Sequence, residues 1–341
     1  MLYRLFFQLW YEKRFIPLLI FLFPLSFLYL LVWKIVDIYY TFLKKPFKLP
    51  CPVISVGNIT LGGTGKTPFI AYLVEILLRY NYKKVVILTR GYKGKKLGVI
   101  QDVDGEPDES RILKRNYPQI TILANPNRKK VFMDYFSSEI KPDIVILDDG
   151  FQHRKIYRDL DIIMVDGKLM FGNKFIFPAG PLREPLISII RRADILVFKN
   201  SKDPLEKFFG KPAFAFNIKN IKLFDKYSKE IEKDKLISKN IIAFCGIGNP
   251  NDFKNTLVSN GFDIKFFFAF PDHYNYTKKD IANISKKGSK ETIFLTSEKD
   301  WVKISNIWPE DLEIYVVKPF FCVNNEEELL RCINEKIHFP R

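Results

Sequence analysis

Residues 53–68 read VISVGNITLGGTGKTP, a β-branched apolar run that breaks into a glycine-rich turn. These residue types suit phosphate binding. Gly62, Gly63 and Gly65, with Thr64 among them, let backbone N–H groups approach an anion closely. Lys66 adds a point charge for the outer phosphates of a nucleotide, and the Thr67 hydroxyl can sit on Mg2+. Pro68 fits the first turn of a following helix, where a missing N–H costs nothing. The usual phosphate-loop pattern has glycine where this chain has Thr60. A tight strand-to-helix turn that happens to contain Lys-Thr is the plainer reading. The strand before the turn, the three glycines and Lys-Thr together favour the phosphate loop.

Such a site needs a carboxylate at a neighbouring strand end. Residues 143–149, DIVILDD, provide one, so that Asp148 or Asp149 delivers an oxygen toward Mg2+, directly or through water. Gln152 can help hold the metal, and His153 can touch the nucleotide or brace the aspartate pair. Two adjacent carboxylates capping the next segment are the alternative. Three other places offer substrate-binding groups. Arg90 and Tyr92 lie in a basic turn at the carboxyl end of a strand, where open α/β sheets bind ligands. Arg128 opens a helix after Asn125-Pro126-Asn127. Arg183 stands in the proline-rich loop 177–185 and either reaches for a phosphate or pairs with Glu184.

The elements that must position these groups alternate. A helix is predicted over 68–81, and strands over 84–89, 120–124, 143–149, 160–165 and 194–199. Near-continuous apolar strands separated by helices imply an α/β fold: a P-loop NTPase-like, mostly parallel sheet with helices on both faces. Residues 200–240 are lysine-rich, read as helices at 203–210 and 225–239 broken by short strands, and form a crossover to a smaller C-terminal α/β domain. That domain has strands at 241–245, 263–269 and 292–296, a helix from 277 and a closing helix at 325–337. The expected divisions are 1–45, 46–215 and 216–341.

The chain has 341 residues and a formal net charge of +16, which attracts anionic partners: nucleic acid, acidic phospholipid or a phosphorylated substrate. Nucleic-acid binding calls for basic residues interleaved with aromatics on one surface. Here the aromatics concentrate in the apolar N-terminal stretch, which favours lipid and argues against a nucleic-acid partner. Cys51, Cys245, Cys322 and Cys332 show no C-x-x-C spacing and indicate neither zinc nor a disulfide framework, as expected in a reducing cytoplasm.

From Ile16 to Trp33 no residue is charged, which is near the lower limit for a membrane-spanning helix. Tyr29, Trp33, Tyr39 and Tyr40 crowd its end, as at a lipid–water boundary. The small-residue cleavage site of a signal peptide is missing. A buried hairpin helix of a soluble protein is the alternative to a membrane anchor that crosses the bilayer or lies in one leaflet. Basic residues flank both sides and set no orientation, but a catalytic part that uses ATP must face the cytoplasm.

The series VGNITLGGTGKTP, TRGYKG, DDGFQH, FPAGPLREP, AFCGIGNP, FPDHYNY and TSEKDWVK, in this order and across nearly the whole chain, resembles the tetraacyldisaccharide 4'-kinases of the lipid A pathway. The resemblance implies transfer of the γ-phosphoryl group of ATP, with Mg2+, to the 4'-hydroxyl of a tetraacylated glucosamine disaccharide 1-phosphate. It implies an aspartate base supported by the histidine of the Pro-Asp-His motif, here His273. The base motif departs from the family's Gly-Asp-Glu-Pro. Counting back from Arg128 favours Asp108, next to Glu109, over the competitor Asp104, which Gly-Glu-Pro follows. Lys66, Asp148 and Asp149 complete the catalytic set, and a monomer is expected. A membrane-associated switch ATPase is the runner-up, but those proteins often carry lysine where this chain has Leu61.

Overall fold

Runs of β-branched and apolar residues fold here as strands buried on both faces. Val53–Gly57 and Val85–Thr89 are buried throughout, and Ile144–Asp148, Leu160–Asp166 and Ile195–Lys199 are buried up to their last residue. The structure, a computed structural model, describes residues 2–12, 14, 17–91, 97–101, 103, 105–136, 141–201, 206–236, 239–289 and 291–339. By its internal contacts the chain divides into two units. The first comprises Met1–Pro107, Tyr117–Asn217 and Cys322–Arg341; the second comprises Asp108–Asn116 and Ile218–Phe321. Two segments thus depart from the divisions expected at 46–215 and 216–341. Asp108–Asn116 falls in the second unit, and the helix Glu326–Ile337 falls in the first. The reason for the latter is local: Tyr72 donates to Glu326 at 2.5 Å and Lys336 pairs with Asp194 at 2.9 Å, both anchors lying in the first unit.

In the first unit the parallel order is Ile195–Lys199, Leu160–Asp166, Val53–Gly57, Ile144–Asp148, Val85–Thr89, Thr121–Ala124. The short strand Gly98–Val99 adds antiparallel at the edge. The register matters most at one pair: Val56 lies opposite Asp148, so the glycine-rich turn and the aspartate pair leave adjacent strands at the same edge. The helix Lys66–Arg79 buries Phe69, Ile70, Leu73, Val74, Ile76 and Leu77, the stripe expected of a helix packed on a sheet.

In the second unit Ile264–Ala269, Asn240–Cys245, Thr292–Ser297 and Ile314–Val323 pair in parallel in that order. Phe244 stacks on Trp308 at 5.6 Å in the core beneath them. Among the described residues no α-helix forms at 203–210 or 225–239; the second range holds a single 3-10 turn, Lys233–Lys235. A single strand, Lys211–Phe224, begins in the first unit and ends in the second, with Lys207–Phe208 and Glu230–Ile231 folded back on it. Phe209 and Gly210 take positive φ to make the first reversal. Asp225 accepts the N–H groups of Tyr227 and Lys229 at 2.9 Å to make the second, a side-chain turn that competes with helix.

The apolar N-terminal run is a helix, Leu18–Ile38, continued by the turn Tyr39–Leu43. Among the described residues this is the one helix long and apolar enough to cross a membrane. One face is tied to the first unit. The Ser26 hydroxyl donates to the Ile176 carbonyl and accepts from Ala179 N–H, each at 2.9 Å. Tyr29 donates to the Arg183 carbonyl at 3.0 Å, and Arg154 pairs with Asp37. The other face leaves Phe21, Phe27, Ile35, Phe42 and Leu43 exposed.

Candidate active site

Two groups of side chains carry chemistry, one in each unit. In the first, the glycine-rich turn ends with Gly65 in the left-handed region at φ +84, a conformation that favours glycine, and the helix starts at Lys66. A side chain at Gly62 or Gly63 would stand in open space, so the backbone there is accessible. Among the described residues the buried Thr64 hydroxyl has no partner. An orphaned donor beside accessible glycine backbone fits a phosphate. Thr60 fills the place of the usual glycine because the chain there is extended: it bridges Leu182, and Leu61 N–H donates to the Pro181 carbonyl at 2.8 Å.

Lys66 lies 3.3 Å from the Asp149 carboxylate and donates to Asn58 at 3.2 Å. Arg183 grips the same carboxylate with two hydrogen bonds of 3.1 and 3.2 Å and also donates to Asn58 at 3.0 Å. It does not pair with Glu184. That carboxylate is taken by Arg192 and by the Gln152 amide, because Arg192 stacks over Phe151 and is held beside it. Arg128, buried, donates to the Asp149 carbonyl at 3.3 Å. Asp149 itself has φ +49, a strained backbone for a residue with a side chain.

The two neighbouring carboxylates differ in ionisation. Burial pushes Asp149 up, but Lys66 and then Arg183 outweigh it and hold the group at about 2. Lost hydration raises Asp148 above the ordinary carboxylate range, Lys66 only partly opposing this; Thr89 donates to it at 2.9 Å. Thr67 and this pair offer the hydroxyl and carboxylate oxygens that Mg2+ takes alongside water and phosphate. Gln152 donates its amide N–H to the Asn58 carbonyl and to Glu184, each at 2.9 Å, while its own oxygen is buried without a partner among the described residues. The imidazole of His153 is partly buried and pushed down to about 4, by lost hydration and then by Arg128, Lys155 and Arg158. Arg90 is exposed just past the end of Val85–Thr89; Tyr92 lies outside the described residues, as does Asp104.

In the second unit Asp108 and Glu109 open the helix Asp108–Asn116. His273 sits in the turn after Ile264–Ala269 at φ +60, its N–H donating to the Gly246 carbonyl at 3.2 Å. That turn is braced from below: the buried Asp300 accepts Gly246 N–H with both oxygens at 3.0 Å and the Tyr276 hydroxyl at 2.9 Å. His273 Nδ1 lies 3.2 Å from Asp108 Oδ2, and Lys303 lies 3.1 Å from the same oxygen. Among the described residues Oδ1 has no such contact. Burial pushes Asp108 up, but Lys303 and then His273 bring it below the ordinary carboxylate value. A carboxylate with one oxygen held and one open can accept a proton from an alcohol.

Asn58, Glu184, Lys299 and Lys303 belong to these clusters although their types alone did not point there. Lys299 and Lys303 stand four apart, on one face of the helix Glu298–Ile304, and that spacing was the available signal.

A family model described as tetraacyldisaccharide-1-P 4'-kinase matches residues 18–338. Among curated relatives, the tetraacyldisaccharide 4'-kinase of Aquifex aeolicus is 38% identical over 297 residues, covering 83% of this chain and 89% of the relative. That of Syntrophus aciditrophicus is 33% identical over 306 residues, with 79% of each covered. A crystal structure of LpxK from Aquifex aeolicus in complex with ATP superposes with a TM-score of 0.76 at 34% identity, covering 93% of this chain and 98% of that one.

Proposed function

The chain belongs to the tetraacyldisaccharide-1-P 4'-kinase family, and from that premise we propose how its residues carry out the transfer of the γ-phosphoryl group of ATP to the 4'-hydroxyl of a tetraacylated disaccharide 1-phosphate. The observation that carries this reading is the 3.3 Å approach of Lys66 to Asp149 beside the open glycine backbone. Before a nucleotide binds, Asp149 neutralises Lys66 and Arg183. The outer phosphates then take those cations, and the backbone N–H groups around Gly65 hold the phosphate chain. Thr67 and Asp148 or Asp149 would hold Mg2+, which would supply further neutralisation of charge on the phosphates.

In the second unit, Oδ1 of Asp108 accepts the proton of the acceptor hydroxyl. The hydroxyl oxygen forms its bond to the γ-phosphorus as the bond to the bridging oxygen breaks, and ADP leaves. His273 and Lys303, both on Oδ2, keep the carboxylate oriented and ionised beforehand.

The exposed side of Leu18–Leu43 attaches the protein to the cytoplasmic face of the inner membrane. Ties at Ser26, Tyr29 and Asp37 run along the helix to the first unit and favour a helix lying in one leaflet over one that crosses. At its end a cavity of about 670 Å³ is lined by Lys44, Lys45, Lys129 and Lys155 with Tyr39 and Phe47. Its charge and its place next to the apolar helix suit the 1-phosphate of the acceptor.

The test is radiolabelled ATP with the disaccharide lipid 1-phosphate in detergent, comparing wild type with Lys66→Ala. Labelled bisphosphate from wild type alone is expected. ATP turnover that ignores the acceptor would overturn the reading in favour of a switch ATPase.

A further inference from the structure

His273 uses both ring nitrogens, and the second contact determines what the first can do. Nδ1 lies 3.2 Å from Asp108 Oδ2, whereas Nε2 lies 3.2 Å from Nζ of Lys299. An ammonium has three donors and no acceptor, so Nε2 must present its lone pair and the ring proton must sit on Nδ1. We infer that Lys299 is a positioning residue for phosphoryl transfer: it fixes His273 as the Nδ1–H tautomer, so that the imidazole donates to Oδ2 of Asp108 and leaves Oδ1 for the acceptor hydroxyl. This rests on the reading of Asp108 as the base.

The groups around Nε2 explain why a cation is needed. Glu109 Oε1 lies 3.6 Å from Nε2 and Asp272 Oδ2 lies 3.8 Å from it. Either carboxylate would draw a proton onto that nitrogen. Lys299 occupies both instead, at 3.1 Å from Glu109 and 3.0 Å from Asp272. Burial pulls the ammonium down, but Glu109 and Asp272 more than restore it, so the group stays cationic. Lys303 serves a separate role, pairing with Asp108 and donating to the Tyr274 carbonyl at 3.3 Å. Without Lys299, the proton moves to Nε2, and Nδ1 then turns a lone pair, or one donor of an imidazolium, toward Asp108.

The chain has three histidines, so histidine labelled with 13C and 15N gives a spectrum simple enough to assign with a His273→Gln control. In full-length protein in micelles, wild type is expected to show a protonated Nδ1 and an unprotonated Nε2 at His273. Lys299→Met should protonate Nε2 and lower kcat by up to about a hundredfold, the scale of a misplaced catalytic group, while leaving KM for ATP in place. Lys299→Arg, which keeps a cation with donors only, should restore the wild-type tautomer and most of kcat. An unchanged His153 signal in each variant reports an intact first unit. A protonated Nε2 in wild type, or an unaltered tautomer in Lys299→Met, overturns the inference. Full turnover by Asp108→Asn would overturn the base assignment on which it rests, and the tautomer, measured without turnover, tells the two failures apart.

Discussion

Arg183 and Asp149 meet through two nearly equal hydrogen bonds, 3.1 and 3.2 Å, a planar fork on a planar carboxylate. A lysine cannot make that pair, because its ammonium is a point charge on a flexible stem. The outer phosphates that take Arg183 from Asp149 are held by the same fork, so Arg183→Lys keeps the charge and loses the two-point grip on them. We expect it to lower kcat/KM for ATP by about tenfold, roughly 1.4 kcal/mol of lost transition-state stabilisation. Steady-state kinetics with the nucleotide varied would show it; wild-type values would mean that charge alone matters at this position.

Asp108→Asn retains the shape of the side chain and its hydrogen-bonding place beside His273 but cannot take a proton. Turnover should fall by at least about a hundredfold, typical of a lost general base, while nucleotide affinity, measured by fluorescence titration, stays within error. If the variant turns over normally, another group accepts the proton.

Much of the first unit was legible beforehand because its strands are apolar without interruption and its turns are marked by glycine and proline. The run 143–149 could be read as a strand ending in carboxylates, and the register of Val56 with Asp148 then brings the glycine-rich turn and the aspartate pair to the same edge. Less legible were residues whose role depends on neighbours distant in sequence. Asn58 reads as a loop residue, yet its side chain accepts from both Lys66 and Arg183. Glu184 sits next to Arg183 in sequence and ends up against Arg192, a choice made by tertiary packing on Phe151. The lysine-rich stretch misled for the opposite reason: its composition suits helix, but over 206–231 positive φ at Phe209 and Gly210 and the side-chain turn at Asp225 fold it as strand.

If the lysine-lined cavity holds the acceptor's 1-phosphate, reversing its charge should weaken acceptor binding only. Lys129→Glu with Lys155→Glu is expected to raise KM for the lipid by about tenfold or more, with KM for ATP unchanged, and added salt should narrow the difference from wild type. An unchanged KM for the lipid would place the 1-phosphate elsewhere.

His153 makes stability depend on pH. Its imidazole titrates near 6.5 when unfolded and is pushed down to about 4 when folded, by lost hydration first and then by Arg128, Lys155 and Arg158. The unfolded chain therefore binds the extra proton across that interval. Stability is complete above about 6.5 and declines as the pH falls toward about 4, below which both states are protonated. Thermal unfolding midpoints measured across this interval should fall less steeply for His153→Gln than for wild type. Equal slopes would show that other groups control the acid limb.

Ser26 is a buried polar side chain in the middle of an apolar helix, and its hydroxyl serves two backbone groups at once, the Ile176 carbonyl and Ala179 N–H. Ser26→Val fills the space and leaves the buried Ala179 N–H without its acceptor, a cost of about 1–3 kcal/mol, while the Ile176 carbonyl keeps the Gly180 N–H at 3.0 Å. Phe21, Phe42 and Leu43, by contrast, touch solvent with most of their surface and stabilise nothing within the chain. Replacing these three by serine should therefore leave the unfolding midpoint of the protein in place while reducing its partition onto anionic lipid vesicles. Ser26→Val should do the reverse, lowering the midpoint and sparing partition. Should the triple variant sediment with vesicles as wild type does, the exposed face of this helix is not the surface that meets the membrane.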